Sequence, residues 1–269
     1  MSKPEYKKIT IPTYPIGKPE PLPLFFEKRP YQGASGKVYP IPYVSEISDK
    51  KEDREYDGYI LENKYIRVEL LPELGGKIHS AYDKTADYDF IYHNKVIKPA
   101  MVGLAGPWIS GGIEFNWPQH HRPTTFMPTD CAPGISNGRE AVFMGEIDYF
   151  HQMKGMVAVS VDEEHSYIQA DITVYNGTAL PHPFMWWANL AVEVNDDYKI
   201  VFPPDVEYVN DHDRRAVMQW PLAKGVYQTA RPFNYGDGTD LHTFSAVKVP
   251  SSFMISRVQS DQDFVSGYD

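Results

Sequence analysis

Between Gly106 and Asp130 the chain reads GPWISGGIEFNWPQHHRPTTFMPTD. This segment crowds Glu114, Asn116, Trp117, His120, His121, Arg122 and Asp130 among glycines and prolines. Glycine and proline fix unusual backbone paths, and binding groups concentrate on loops held by a rigid scaffold. A carboxylate beside imidazoles suits acid–base work, because surroundings can push the two kinds of pKa to opposite sides of neutrality. Glu114, His120 and His121 are therefore the candidate catalytic set. An arginine grips an oxygen-rich ligand through paired donors, so Arg122 joins Asn116, Trp117 and Asp130 as candidate substrate-binding residues. The competing reading is a buried polar network that only anchors a long loop. His120 and His121 also raise a metal site, but adjacent residues of an extended chain point to opposite sides. HxH and HExxH spacings are absent, and Cys131 is the single cysteine. No transition metal and no cofactor is expected; calcium or sodium on carbonyls and carboxylates stays open.

A second segment, HPFMWWANLAVEV, spans residues 182–194. Successive strand residues face opposite sides, so one of Trp186 and Trp187 is expected in the core. The other, with Asn189, is expected to line a pocket; two core tryptophans is the alternative. Further on, Asp211, His212, Asp213 and Arg214 read as a solvated charged turn. GISNG, Gly134 to Gly138, matches the letters of a nucleophile elbow around Ser136. No apolar strand leads into it and a strand rather than a helix follows, so a plain glycine turn is expected. Cys131 lacks the surroundings of an activated thiol and, being alone, forms no internal disulfide and gives no sign of an oxidising compartment. No GxGxxG follows a strand and no P-loop is present.

The elements that must position these residues read as β. Hydrophobic residues make up 42% of the 269, which supports a true core. Residues 1–45 carry nine prolines, from Pro4 to Pro42, and proline removes a backbone donor. This stretch is expected to be an extended arm with edge strands at Tyr6–Ile11 and Lys37–Tyr43. A charged loop is expected over 45–55. From Gly58 the pattern alternates through Ile66, Val68 and Leu70, bends at Gly75-Gly76, and continues through KIHSAYD and YDFIYHN around a polar loop at Lys84–Asp87. Residues 97–140 show little periodicity, and a structureless stretch of that length is usually functional. Strands resume with EAVFMGEIDYF, MKGMVAVSVDEE, SYIQADITVYN and YKIVFP, then AVMQWPL, TFSAVKV and SFMISRV. Only Pro72–Gly75 and Val217–Gly225 leave room for a helical turn. The expectation is an all-β antiparallel sandwich over 57–269, preceded by the proline-rich arm and charged loop of 1–56.

The formal net charge is -10, which argues against binding nucleic acid and favours a neutral or cationic ligand. Met1 to Lys8 is polar, and no apolar run approaches the roughly 20 residues that span a bilayer, so no membrane association and a cytoplasmic location are expected. Aromatic residues reach 14%, and their faces stack on the C–H faces of sugar rings.

These residues resemble a known superfamily. LLPELGGKIHSAYDKTADYDFIYHN is similar to the opening of galactose-mutarotase-like domains, in which a strand, a Gly-Gly bend and a second strand precede the sugar pocket. GGIEFNWPQHHRP, followed by the tryptophan strand, looks like an uncharacterised bacterial branch whose members often carry this domain ahead of tetratricopeptide repeats. The resemblance spans roughly residues 55–269. It implies a β-supersandwich with a carbohydrate in a groove of the concave sheet, as part of a glycoside hydrolase or related sugar-processing enzyme. A non-catalytic sugar-binding or sensor domain and an aldose epimerase are the alternatives. Epimerases of this superfamily use a histidine acid and a glutamate base near the C-terminal end of the domain. Their NHxYFN strand motif corresponds to Phe184–Asn189, where Met185 holds the histidine place and Asn189 matches. Related glycosidases need two carboxylates flanking the bond, of which Glu114 supplies one. The chain ends soon after SFMISRV, so a sandwich cut before its closing strands is expected, with an open edge that either pairs two copies of the chain or leaves one side of the groove open.

Overall fold

The computed structural model of the chain describes residues 3–21, 23–25, 38–118, 121–211, 216–224, 226–228, 238–247, 253–255 and 266–268. The chain is all-β and antiparallel, and divides into two units, Met1–Val192 and Glu193–Asp269.

In the first unit, β1 (Glu5–Thr13), β2 (Pro23–Phe25), β3 (Val38–Pro42), β4 (Glu52–Glu62), β5 (Ile66–Leu71), β6 (Lys77–Asp83) and β7 (Tyr88–Ile91) come first. They are followed by β8 (Ala100–Gly103), β9 (Gly106–Trp108), β10 (Ile113–Asn116), β11 (Asp130–Ser136), β12 (Arg139–Asp148), β13 (Met153–Val161), β14 (Ile168–Asn176) and β15 (Trp187–Leu190). One sheet runs β1–β4–β5–β6–β10–β15, with β7 also on β6; a second is the meander β11–β12–β13–β14.

Alternation drives these sheets together. In β5, Ile66, Val68 and Leu70 are buried while Arg67 and Glu69 are not. They meet Val142, Met144, Val157 and Val159 of the second sheet in one core with Leu61, Ile78, Phe115 and Trp117. A second cluster joins Leu71 and Leu74 to Leu104, Ala105, Ile109 and Phe126, and so pins the connections on either side of β10 to the first sheet. Between β5 and β6 a short 3-10 turn at Pro72–Leu74 stops at Gly75. Gly75 and Gly76 have φ of 73° and 63°, a region open to glycine at little cost, and the chain reverses there as expected.

In the second unit, β16 (Lys199–Val201) pairs with β21 (Ser266–Tyr268). β17 (Tyr208–Asp211), β18 (Ala216–Gln219), β19 (Val226–Gln228) and β20 (Phe253–Met254) form a sheet in the order β19–β18–β17–β20. Its core holds Phe202, Val206, Val209, Met218, Ala223 and Leu241.

Several expectations need correction. The charged run at 45–55 is not all loop, because Glu52 to Glu55 pair with Thr13 to Thr10 of β1. That pairing makes the arm's first strand part of the main sheet. Residues 97–140 contain β8 to β11 and the start of β12, too short or too exposed to leave a periodic trace. Within TFSAVKV, Phe244–Ala246 form a 3-10 turn, and Val217–Gln219 are the end of β18 in place of a helical turn.

Gly155 on β13 faces the Trp117 ring, and a Cβ there would lie 2.4 Å from Trp117 Cδ2. Gly155→Ala is expected to cost about 1–3 kcal/mol by overpacking and to lower Tm by roughly 2–10 °C. A thermal melt checks this; an unchanged Tm would refute the close contact.

Candidate functional site

β10 alternates Ile113 and Phe115 with Glu114 and Asn116. Phe115 enters the sandwich core, so Glu114 and Asn116 stand on the other face. Across β15, Glu114 is in register with Asn189 and Asn116 with Trp187. The β8–β9 hairpin and residues 121–125 border this face. They leave a pocket of about 290 Å³ whose wall includes Val102, Leu104, Trp108, Glu114, His121 and Asn189.

Glu114 is only 7% exposed. Its Oε2 accepts from Trp108 Nε1 at 2.9 Å, and its Oε1 accepts from Asn116 Nδ2 at 2.7 Å and Asn189 Nδ2 at 3.3 Å. His121 Nδ1 stands 3.9 Å from the same Oε1. Burial pushes the carboxyl pKa up, but the nearby His121 imidazole, hydrogen bonds from Asn116 and Trp108, and the charge of Lys77 outweigh it and hold it at about 2. Near neutral pH this group is a fixed carboxylate that accepts hydrogen bonds; it has no proton to give.

The segment's other residues part company. Asn116 is fully buried and positions its neighbours: its amide donates to Glu114 and its Oδ1 accepts from the Arg122 backbone at 2.8 Å. Trp117, expected in the site, lies in the core at 2% exposure, because Phe115 and Trp117 share the inward cluster. Arg122 borders the pocket, yet it is 3% exposed and its guanidinium is committed to Glu146 at 3.1 Å and to the carbonyls of Phe115 and Gly75. It braces the loop and leaves no paired donors for a ligand. Asp130 opens β11 and borders a separate depression with Cys131, Phe143 and Lys154. His120 lies outside the described residues, as do His212, Asp213 and Arg214.

The tryptophan pair divides as the strand period requires. Trp186 stacks on Phe115 against the core, at 5.9 Å between ring centroids, and so is not a pocket residue. Trp187 meets His121 edge to face at 5.4 Å. Ser136 sits where β11 turns into β12 through Asn137-Gly138, and its hydroxyl donates to Asp171 at 2.7 Å; the glycine-turn reading fits. The Cys131 thiol is pushed up by burial, the opposite of activation. Among the described residues no group of three His, Cys, Asp or Glu could hold a metal ion. No helix among them is long and apolar enough to cross a membrane.

Trp108, Val102 and Leu104 were missed by sequence reasoning. Trp108 carries a signal in hindsight, an aromatic six residues before the glutamate inside a glycine-rich run.

A family model described as a domain of unknown function, DUF5107, matches residues 34–245. The chain belongs to the DUF5107 family. The DUF5107 domain is also similar to the crystal structure of a TPR-domain containing protein from Parabacteroides distasonis ATCC 8503. The TM-score is 0.68 and the identity 26%, over 81% of this chain and 36% of the other. The chain thus spans 36% of that protein's length.

Because the folded pKa of Glu114, about 2, lies below its ordinary 4.5, its contribution to stability is present above 4.5 and is lost as pH falls toward 2. Glu114→Gln is expected to flatten the loss of stability over that acid range. Urea melts at stepped pH check it, and identical slopes for the two proteins would show that the carboxylate is not held down.

Proposed function

We propose that this DUF5107 domain is a carbohydrate-active sandwich of the galactose-mutarotase-like kind, which recognises a sugar in the Glu114–Asn189 pocket. The observation that carries this reading is the lining. A fixed carboxylate, an exposed amide, an imidazole and an indole share one pocket with apolar Val102 and Leu104. Few polar groups set among apolar walls is the usual make-up of a small-molecule site. Glu114 accepts from sugar hydroxyls, and Asn189 both donates and accepts.

Size and charge narrow the ligand. A pocket of about 290 Å³ sits at the low end for ligand sites, which suits one sugar ring or a chain end better than a long groove. The guanidinium of Arg122 is taken by Glu146, and the pocket presents a carboxylate, so neutral or amino sugars fit better than acidic ones. Glycoside hydrolysis needs two carboxylates, and among the described residues lining the pocket Glu114 stands alone. Recognition is therefore the better-supported activity of these residues. A second reading, an aldose epimerase, rests on the closeness of His121 to Glu114. It ranks below recognition because a carboxylate held at about 2 is a weak base. The TPR domain of the Parabacteroides protein supports a role in which such a sandwich works beside helical repeats.

Calorimetry against neutral, amino and uronic sugars and short oligosaccharides tests this. Glu114→Gln should weaken the bound sugar about 10- to 100-fold, the worth of a charged hydrogen bond. Asn189→Ala should weaken it less, and uronic acids should fail to bind. If no sugar of the panel binds the parent chain, or Glu114→Gln binds as well as the parent, the reading is wrong.

A further inference from the structure

The strand on the other side of β10 holds a residue that no motif singles out. Ile113 of β10 is in register with Ile78 of β6. One step along each strand, Glu114 stands opposite Lys77, and directly opposed residues of an antiparallel pair share a face. Glu114 is likewise opposite Asn189 on β15. Lys77, Glu114 and Asn189 thus form one polar row across three strands.

Lys77 is 3% exposed, and its Nζ donates to the Ile109 carbonyl at 3.3 Å, its one hydrogen-bond acceptor among the described residues. A carbonyl oxygen does not neutralise an ammonium, and a buried charge without a counter-charge is costly. Among the described residues, the other charged groups nearby do not fill that role. His79, on the same strand, is held at about 3 by burial, by His93 and by Lys77 itself, so it is neutral. His93 packs on His79 at 5.1 Å between ring centroids. Arg122 is a cation and is paired with Glu146. Glu114 remains as the counter-charge.

We propose that Lys77 is a positioning residue of this pocket: its buried ammonium, on the strand beside Glu114, holds that carboxylate in place behind the ligand without touching the ligand. The role in sugar binding rests on the reading above; the pairing with Glu114 does not. Burial pushes the Lys77 pKa down to about 8 and the pull of Glu114 opposes that fall, so the amine is mostly cationic at neutral pH and discharges above about 8.

The test follows the Glu114 carboxyl carbon by NMR in protein labelled at glutamate, with Glu114→Gln to assign it. In Lys77→Met the midpoint of Glu114 should rise by about one unit or more, and in Lys77→Arg it should stay low. For any sugar that binds the parent chain, Lys77→Met should weaken binding about tenfold and Lys77→Arg should largely restore it. Should Lys77→Met fail to fold, the pH arm decides. Sugar affinity of the parent should fall between about pH 7 and about pH 9.5, while that of Lys77→Arg stays level, because a guanidinium remains charged. An unmoved Glu114 midpoint in folded Lys77→Met overturns the proposal. So does a level affinity of the parent across that pH range. A raised midpoint in a chain that binds no sugar upholds the pairing and overturns the carbohydrate reading instead.

Discussion

A guanidinium that is 3% exposed must find its acceptors inside the protein, and Arg122 draws them from three directions. Gly75 at the bend between β5 and β6 supplies one carbonyl, Phe115 of β10 another, and Glu146 of β12 the counter-charge. The guanidinium carbon lies over the Trp117 ring, 4.2 Å from its centroid. One side chain therefore ties the bend, the central strand and the second sheet to the loop after β10. Removing one partner of a buried pair leaves the other charge stranded, which is why such a hub tolerates little change. His121 and Thr125 hold their places at the pocket because the residue between them is anchored in this way.

The pocket itself is governed by a second buried charge. Glu114 is taken out of water, and desolvation alone would favour its neutral form. Indole, amide and imidazole donors, with Lys77 behind, reverse that outcome. The consequence is chemical. A carboxyl raised toward neutrality could donate a proton, whereas one pinned as an anion offers fixed acceptors and a fixed field. Recognition of hydroxyl groups follows more directly from this state than bond cleavage does.

The same β period that builds the core also builds the site. Phe115 faces inward with Trp186, while Glu114 and Asn116 face outward with Trp187 and Asn189. A slip of one residue in the β10–β15 pairing would exchange the two sets and bury the polar row in the sandwich. Hydrophobic patterning of the inward residues is thus what keeps the outward residues in register. The side chains that line the pocket depend on side chains packed in the core.

Local pattern in the sequence was enough to determine the β class, the alternation of Ile66, Val68 and Leu70, the reversal at Gly75-Gly76, the opposite facing of Trp186 and Trp187, and the place where polar groups gather, around Glu114. These depend on neighbours a few residues apart, where side-chain period and backbone freedom act directly. Tertiary structure alone decided which of those polar groups reach the pocket. Trp117 and Arg122 look like ligand contacts by type, yet one fills the core beside Gly155 and the other is spent on Glu146. Trp108 and Lys77 carry no motif and join Glu114 only because a hairpin and a neighbouring strand bring them there. The start of β4 was hidden for the same reason, since Glu52 to Glu55 become strand by pairing with β1, some forty residues earlier in the chain. Type and spacing say what a side chain can do; burial and the partners that long-range strand pairing delivers decide what it does.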